Sequence, residues 1–305
     1  MAFLPLLQKK LREKWDFDEE LPIQAEMVPE MLKGKDIVAV SPTGSGKTLA
    51  YVLPLLEMTD GTKKAVQALV LAPSQELSMQ IVEVIREWTK DMPTTVAPLI
   101  GGANFERQVE KLKKKPTIVV GTPGRVLELI KKNKLKPKEL NHIVLDEGDQ
   151  LLNRENRSMT KEILGRAKTD SQKVLVSATI NEEIEIVAQR IMNGPLRIVI
   201  DQNQFPQKGS VVHAYIRVDP RKKTDLLRRI SHLPKVKALA FVNRTDQAFL
   251  KAEKLKNKNP KIQALYSEMP KDKRKMAVDS FRKGKATVLI ATDIASRGLD
   301  IPDIT

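Results

Sequence analysis

Ser41-Pro-Thr-Gly-Ser-Gly-Lys-Thr48 is the stretch that decides the fold of this chain. An apolar run, Asp36-Ile-Val-Ala-Val40, precedes it, and a helix-compatible segment, Leu49-Ala-Tyr-Val-Leu53, follows it. When a strand, a glycine-containing loop and a helix follow one another in this order, backbone N–H groups and the positive end of the helix converge on a phosphate. The sequence therefore predicts a phosphate-binding loop in an α/β fold. The alternative is a flexible surface turn made of glycine and serine.

Each residue of this loop has its own expected role in nucleotide binding. Gly44 and Gly46 allow the backbone to curl around phosphate oxygens, Lys47 can reach the terminal phosphates, and the Thr48 hydroxyl can ligate Mg²⁺. Ser41 stands where the general pattern has glycine, so the loop is a variant form. The predicted nucleotide contacts are Ser41, Thr43, Gly44, Ser45, Gly46, Lys47 and Thr48.

The charge of the chain indicates a polyanionic partner. Its 305 residues include 53 lysines and arginines against 38 aspartates and glutamates, for a net charge of +15. A field of this sign favours nucleic acid, although the lysines at 113–115 and 131–132 can serve solubility alone. Aromatic residues make up only 4% of the chain, so contacts with the sugar-phosphate backbone are expected rather than base stacking.

The composition also excludes several kinds of protein. The chain has no cysteine, which rules out disulfides, thiolate catalysis and cysteine zinc sites. His142, His213 and His232 are too scattered for a metal site. No apolar run approaches the roughly 20 residues of a membrane span, and the N-terminal segment lacks the basic flank of a signal peptide. We expect a cytoplasmic protein without membrane contacts.

Short apolar segments alternate with longer helical ones, which predicts an α/β fold with doubly wound parallel sheets. A polar segment that contains Pro206 and Gly209 interrupts the series, so we expect two domains: residues 1–202, a linker at 203–209, and residues 210–305. A surface loop within one large sheet is the alternative. The predicted strands are 37–40, 68–72, 96–100, 117–120, 143–145, 174–177, 198–200, 212–218, 238–242, 262–265 and 287–291.

A second motif, Ile143-Val-Leu-Asp146-Glu147-Gly-Asp149, places adjacent acids after a predicted strand. Asp146 is expected to hold Mg²⁺, which prefers oxygen ligands and keeps much of its water. Glu147 is expected to orient and activate an attacking water. Acidic turns after strands are common, so this motif alone is a weak signal. It indicates nucleotide hydrolysis because a phosphate loop lies about a hundred residues upstream. Lys47, Asp146 and Glu147 are the predicted catalytic residues.

The order of motifs resembles that of the DEAD-box ATP-dependent RNA helicases of superfamily 2, over nearly the whole chain. This resemblance implies two RecA-like domains, a bacterial source, ATP with Mg²⁺, and an RNA-stimulated ATPase that separates short duplexes. The matching motifs are Ser41 to Thr48, Ala72-Pro-Ser-Gln-Glu-Leu77, Gly101-Gly102, Thr122-Pro-Gly-Arg125, Asp146-Glu-Gly-Asp149, Ser177-Ala-Thr179 and Ala291-Thr-Asp-Ile-Ala-Ser-Arg-Gly-Leu-Asp300.

The resemblance also implies roles for residues outside the phosphate loop. Gln24 would read the adenine edge, Phe17 would lead the same motif, and Asp300 would reach the ribose. Asp149, Ser177, Thr179 and Arg297 would couple hydrolysis to domain closure. The residues similar to the family's RNA contacts are Pro73, Gln75, Gly101, Gly102, Thr122, Arg125 and Thr292.

The chain departs from the family pattern at four places. One of them is Lys271, which replaces a glutamine in the second domain and can restore some charge. Gly148 replaces an alanine of similar size, so the roles of its neighbours are expected to survive. Gln75 replaces an arginine, which removes one phosphate contact. The sequence stops at Thr305, before the family's His-Arg…Gly-Arg motif, so we expect a truncated second domain and impaired hydrolysis. A nucleotide-gated RNA clamp and a DNA translocase stay as alternatives, and protein partners are unknown.

Overall fold

The computed structural model describes residues 20–201, 203, 212, 214–243, 250–253, 255, 261–266, 269–292, 301 and 304–305. The chain divides into two compact units, residues 1–209 and 210–305. Each unit has its own parallel sheet and its own hydrophobic cores. Three residues with a predicted role, Phe17, Arg297 and Asp300, lie outside the described residues.

Seven parallel strands form the sheet of the first unit, in the spatial order β3-β4-β2-β5-β6-β1-β7. The strands are β1 (Ile37–Val40), β2 (Ala68–Leu71), β3 (Val96–Leu99), β4 (Ile118–Gly121), β5 (His142–Asp146), β6 (Gln172–Ser177) and β7 (Leu196–Val199). The helices are α1 (Pro22–Leu32), α2 (Lys47–Met58), α3 (Gln75–Thr89), α4 (Phe105–Lys113), α5 (Pro123–Lys131), α6 (Gly148–Leu151), α7 (Arg157–Arg166) and α8 (Glu182–Ile191).

The central strands are nearly continuous aliphatic runs because both faces of the sheet are covered. Val70, Val120 and Val144 belong to the core on one face, whereas Leu69 and Val119 belong to the core on the other. Burying each such side chain contributes about 1.5–3 kcal/mol. This two-sided burial is the reason that the strand segments of the sequence show no alternation with polar residues.

The parallel arrangement brings the segments that follow the strands to one edge of the sheet, the carboxyl edge. Strand β6 lies between β1 and β5, and the register pairs Val40 with Ser177 and Asp146 with Val176. The Ser41 N–H donates a 3.0 Å hydrogen bond to the Ser177 carbonyl. The phosphate loop and the acidic motif are therefore separated by a single strand.

The second unit contains a smaller parallel sheet with the order β8-β10-β9. Its strands are β8 (Ala238–Phe241), β9 (Ile262–Leu265) and β10 (Val288–Ala291), and its helices include α9 (Lys223–Ser231) and α10 (Lys271–Arg282). Phe281 and Leu289 are buried together in one of its cores. The predicted fold class, two α/β units with parallel sheets, is confirmed.

The strand predicted at 212–218 is wrong over its described residues, which have no strand pairing. Tyr215 is 89% exposed and Ile216 is 65% exposed. The apolar run alone suggested a buried strand, but a strand needs a hydrogen-bonded neighbour, and no described segment supplies one here. None of the described helices combines the length and apolar character that a bilayer crossing requires.

Candidate functional site

The phosphate loop takes the backbone conformation that its glycines allow. Gly44 and Gly46 have φ angles of 76° and 87°, in the left-handed region, which other residues adopt at a cost. A Cβ at Gly46 would also lie 2.6 Å from Leu21 Cδ1 and 2.7 Å from Gln24 Nε2. Gly46 is the N-cap of α2, so the helix begins with Lys47, and its unpaired N–H groups face the loop.

The side chain of Lys47 folds back over the phosphate loop. Its Nζ donates hydrogen bonds of 2.6 Å to the carbonyl oxygens of Ser41 and Pro42. Burial lowers the pKa of Lys47, and the carboxylates of Asp146, Glu147 and Asp149 oppose that shift. The ammonium group therefore lies within the electrostatic reach of all three acids of the second motif.

Two buried hydroxyls in the loop lack hydrogen-bond partners among the described residues. Ser41 Oγ and Ser45 Oγ are both orphaned, although both side chains are buried. An unsatisfied buried polar group costs about 1–3 kcal/mol. Such hydroxyls, in a loop curled by positive-φ glycines at a helix N-terminus, suit an anionic ligand that can accept their hydrogen bonds.

Asp146 is a buried carboxylate with both oxygens engaged, and it is only 5% exposed. Its Oδ2 accepts a 2.8 Å hydrogen bond from the Tyr51 hydroxyl, and its Oδ1 accepts one of 2.8 Å from the Glu147 N–H. Burial raises the pKa of Asp146, while the hydrogen bond from Tyr51 acts in the opposite direction. Each oxygen keeps further acceptor capacity.

Tyr51 is a site residue that the motif analysis missed. It is completely buried in α2, and Asp146 and the Thr48 side chain both influence the pKa of its hydroxyl, which burial raises well above the usual value. The signal was in the sequence: Tyr51 follows Thr48 by three residues, so the two side chains share one face of the helix.

Glu147 has an uncommon backbone conformation for a residue with a side chain. Its φ and ψ angles are 49° and 55°, in the left-handed region where non-glycine residues are infrequent and cluster at functional sites. The next residue is Gly148, where a Cβ would lie 2.6 Å from both Cγ and Cδ2 of Leu175. The alanine that the family has at this position would therefore collide with Leu175 here.

The donor set fits Mg²⁺ only together with a phosphate. Thr48 supplies a hydroxyl and Asp146 a carboxylate, which are oxygen ligands of the kind that Mg²⁺ prefers. Among the described residues, no three histidine, cysteine, aspartate or glutamate side chains come together as a metal site. Mg²⁺ commonly takes one or two carboxylates and completes its shell with phosphate and water. The residues present therefore fit this cation in its usual nucleotide-bound form.

Asp149 is connected to the end of β6 by both backbone and side chain. The Asp149 N–H donates to Ser177 Oγ at 3.3 Å, and Thr179 Oγ1 donates to Asp149 Oδ2 at 3.1 Å. Ser177 Oγ in turn donates to the Thr179 carbonyl at 2.7 Å. The two motifs that were predicted to couple therefore form one hydrogen-bonded cluster.

Gln24 lies directly against the phosphate loop. It is 2% exposed, its Nε2 donates to the Gly46 carbonyl at 3.4 Å, and its Oε1 accepts from the Leu21 N–H at 3.3 Å. These bonds tie the start of α1 to the loop. The adenine-reading role of Gln24 stays a prediction, as does that of Phe17, which lies outside the described residues.

The predicted RNA contacts of the first unit also come together at the carboxyl edge. Gln75 is the first residue of α3, and its Nε2 would lie 3.7 Å from a Cβ at Gly101. Pro73 and Thr122 are half-buried beside them, Thr122 as the N-cap of α5, and Gly102 is exposed. Strands β2, β4 and β3 deliver these residues to neighbouring loops.

Arg125 supports the glycine loop rather than extending into solvent. Its Nη1 and Nη2 donate to the Ala103 carbonyl at 3.1 and 3.2 Å, and its Nε is 3.1 Å from a Glu128 oxygen. The guanidinium also lies 5.5 Å from the centre of the Phe105 ring. Neither Ala103 nor Phe105 carries a signal that the motif analysis could have used.

In the second unit, Thr292 directly follows β10 and is buried, and its N–H donates to the Leu265 carbonyl at 3.2 Å. Arg297 and Asp300 lie outside the described residues, so their roles stay predictions.

Two protein families match this chain. The family described as DEAD/DEAH box helicase matches residues 21–187, and the helicase conserved C-terminal domain matches residues 221–305. The chain is 43% identical to the probable ATP-dependent RNA helicase YfmL of Bacillus subtilis, over 99% of this chain and 81% of the relative. It is 42% identical to the DEAD-box ATP-dependent RNA helicase CshC of Bacillus cereus, over 98% of this chain and 77% of the relative.

Solved structures of similar fold include two helicase-family proteins. S. cerevisiae Dbp5 bound to RNA and ADP BeF3 is similar with a TM-score of 0.84 and 26% identity, over 100% of this chain and 78% of the other. A DEAD box protein from the hyperthermophile Methanococcus jannaschii has a TM-score of 0.64 and 28% identity, over 100% of this chain and 82% of the other.

Proposed function

The chain belongs to the DEAD-box family of ATP-dependent RNA helicases, and from this premise we propose that it binds ATP and RNA and locally separates short RNA duplexes in the cytoplasm. One observation carries the proposal. The phosphate loop, the acids at the end of β5 and the Ser177–Thr179 segment form one connected cluster at the carboxyl edge of the first sheet. The proposed domains are residues 1–202 and 210–305, joined by 203–209.

ATP binding is assigned to the phosphate loop. The N–H groups at the start of α2 and the orphaned hydroxyls of Ser41 and Ser45 would donate to phosphate oxygens. Lys47 would exchange its two carbonyl partners for the terminal phosphates. Gln24 and Phe17 would select adenine, and Asp300 of the second unit would contact the ribose.

Hydrolysis is assigned to the acids that follow β5. Thr48 and Asp146 would hold Mg²⁺, which supplies charge neutralisation to the phosphates. Glu147 would orient the attacking water and accept its proton. Because the left-handed backbone of Glu147 turns the chain directly after Asp146, two adjacent carboxylates can serve these different purposes.

RNA binding is assigned to the loops after β2, β3 and β4, and to Thr292 in the second unit. Gly101 and Gly102 would let the RNA backbone approach closely, and Gln75 and Thr122 would donate to phosphate oxygens. Arg125 would hold the glycine loop in place through Ala103 and present its remaining donors to phosphate. Asp149, Ser177, Thr179 and Arg297 would link ATP hydrolysis to closure of the two units on RNA.

ATPase measurements with single-residue variants test this proposal. We expect ATP turnover that RNA stimulates and matched DNA does not, and that falls about 100-fold or more in Lys47→Ala and Glu147→Gln, as when one preorganised charge contact is removed. Lys33→Ala is the matched control, because Lys33 is an exposed lysine paired with Glu30.

Three results would contradict parts of the proposal. Equal stimulation by DNA would indicate a DNA translocase. RNA and ATP binding without turnover in the unmodified chain would indicate a nucleotide-gated clamp. Turnover that survives Lys47→Ala would remove the phosphate loop from the reaction.

A further inference from the structure

Three lysine-rich segments that are far apart in the sequence lie side by side in the first unit. Residues 60–64 lead into β2, residues 110–116 lead into β4, and residues 128–141 lead into β5. Strand β2 lies between β4 and β5, and the first residues of the three strands are paired or adjacent in register. Because neighbouring strands are about 5 Å apart, the ends of the three segments that enter the strands lie together at the amino edge of the sheet, and the segments meet at this edge.

The surface at this edge holds a large share of the positive charge of the chain. The three segments contain eleven lysines and four acidic residues. Five of the lysines form ion pairs, which are worth little at an exposed surface. Six others are exposed and form no ion pair with a described residue: Lys64, Lys111, Lys114, Lys115, Lys134 and Lys138. These six residues are called the lysine face here.

The character of the surface favours RNA over other anionic partners. None of the large hydrophobic side chains that the described residues expose lies in the three segments. Membrane-surface binding and protein interfaces with a hydrophobic centre both use such side chains. Flexible lysine ammonium groups suit the repeated charges of a phosphodiester backbone, which they contact without reading its sequence.

The lysine face is also well placed for an RNA that is already bound. The proposed RNA loops follow the carboxyl ends of two of these strands, β2 and β4, and of the neighbouring β3, and each of these strands has four residues. At about 3.3 Å per residue, the two edges are about 15 Å apart along the strands. An RNA that passes over the helices covering the sheet follows a somewhat longer path, which a flanking segment of several nucleotides can span. A second contact with the same molecule is favoured by its high effective concentration.

We propose that the lysine face is a second RNA-docking surface, which binds the phosphate backbone of a segment that flanks the RNA at the carboxyl edge. The proposal rests on the RNA binding proposed above. It gives the chain an affinity for long RNA that exceeds its affinity for short RNA, independent of the flanking sequence.

A length series of RNAs tests the proposal. The variant carries Lys64→Gln, Lys114→Gln, Lys115→Gln, Lys134→Gln and Lys138→Gln, and binding is measured by fluorescence anisotropy with a 10-nucleotide and a 40-nucleotide single strand. About 10 nucleotides can occupy one site. We expect the 40-mer to bind about 10- to 100-fold more weakly to the variant, and its salt slope to fall by about three, since each neutralised phosphate contributes about 0.7. Binding of the 10-mer should not change, which also shows that the variant is folded.

A second variant controls for net charge. It carries Lys222→Gln, Lys223→Gln, Lys235→Gln, Lys283→Gln and Lys285→Gln in the second unit, all at exposed positions, and we expect it to keep the difference between the two RNAs. An equal loss in both variants, or no loss for the 40-mer, would overturn the proposal. So would unchanged binding of both RNAs together with lost binding of polyglutamate, which would assign the face to an acidic protein. Failure of the unmodified chain to bind the 10-mer would instead contradict the proposed function.

Discussion

The Tyr51 hydroxyl donates a 2.8 Å hydrogen bond to Asp146 Oδ2. This bond joins the helix that carries Thr48 to the strand that carries the acids. The buried phenol of Tyr51 therefore connects the two elements that carry the proposed Mg²⁺ ligands. Groups that hydrogen-bond to a metal ligand commonly set its orientation and its affinity for the metal.

Tyr51→Phe should weaken the affinity for the Mg²⁺ that accompanies the nucleotide, without removing the ring from the core. Loss of such a supporting hydrogen bond typically costs about 10-fold or more in metal affinity, so we expect the Mg²⁺ midpoint for binding of a fluorescent ADP analogue to rise by about that factor. Tyr215→Phe, at an exposed tyrosine of the second unit, is the control. Identical Mg²⁺ titrations for the Tyr51 variant and the unmodified chain would argue against this role.

Gly148→Ala should destabilise the first unit, because the added methyl group meets Leu175 at 2.6 Å. Overpacking of this kind costs about 1–3 kcal/mol. The same change should cost less in a Leu175→Ala background, since that substitution removes the Leu175 Cγ and Cδ atoms that collide. Urea unfolding of the four proteins gives the coupling between the two positions. If the two changes are simply additive, the collision does not limit this site.

Ser45→Ala should weaken nucleotide binding without destabilising the nucleotide-free protein. The buried Ser45 hydroxyl has no partner among the described residues, so its loss should leave the nucleotide-free stability unchanged or raise it by about 1 kcal/mol. Affinity for ADP should fall about 10-fold, as expected for one hydrogen bond to a charged group. Thermal shifts with and without ADP measure both effects.

Ser78 provides the contrast for that experiment, because its buried hydroxyl donates to the Ser74 carbonyl at 2.8 Å. Ser78→Ala should lower stability and leave ADP affinity unchanged. A loss of nucleotide-free stability in Ser45→Ala would show that the Ser45 hydroxyl is already satisfied.

Acidification should destabilise the chain through His142. Burial lowers the pKa of His142 from 6.5, and the hydrogen bond to Gln172 only partly opposes this shift. Between the unfolded and folded pKa values the unfolded chain binds more protons, so stability rises with pH. The contribution of His142 is complete above pH 6.5 and is lost as the pH falls through the folded pKa.

His142→Gln should therefore flatten the pH dependence of the unfolding free energy below neutrality, as measured by urea unfolding between about pH 8 and pH 5. An unchanged slope would assign the acid sensitivity to other groups.

Sequence reasoning predicted the strands of the first unit well because two-sided burial leaves a clear aliphatic signature. The predicted strand at 37–40 matches β1, and the other central strands differ by one or two residues at their ends. The same reasoning failed at 212–218, where apolar residues are exposed. A run of apolar residues shows what could be buried, but the partner that buries it lies elsewhere in the chain.

Motif reasoning named the loop, acid and hydroxyl residues that the structure brings together, but it could not find the side chains that support them. Tyr51 reads as an ordinary core aromatic of α2, and Leu175 reads as an ordinary strand residue. Their importance comes from distances to Asp146 and Gly148, which depend on how β5, β6 and α2 pack. For the same reason, the collision between a Cβ at position 148 and Leu175 could not be read from the sequence. The expectation that Asp146 and Glu147 keep their roles beside Gly148 stays a prediction.

The two bonds from Lys47 to the carbonyl oxygens of its own loop have a kinetic consequence. An incoming nucleotide must first break these internal bonds, so its capture includes a conformational step whose speed does not depend on nucleotide concentration. The observed rate of association should then level off as the nucleotide concentration rises. When product leaves, the ammonium group can return to the same carbonyls. The two hydrogen bonds of the nucleotide-free loop are then restored before the next turnover.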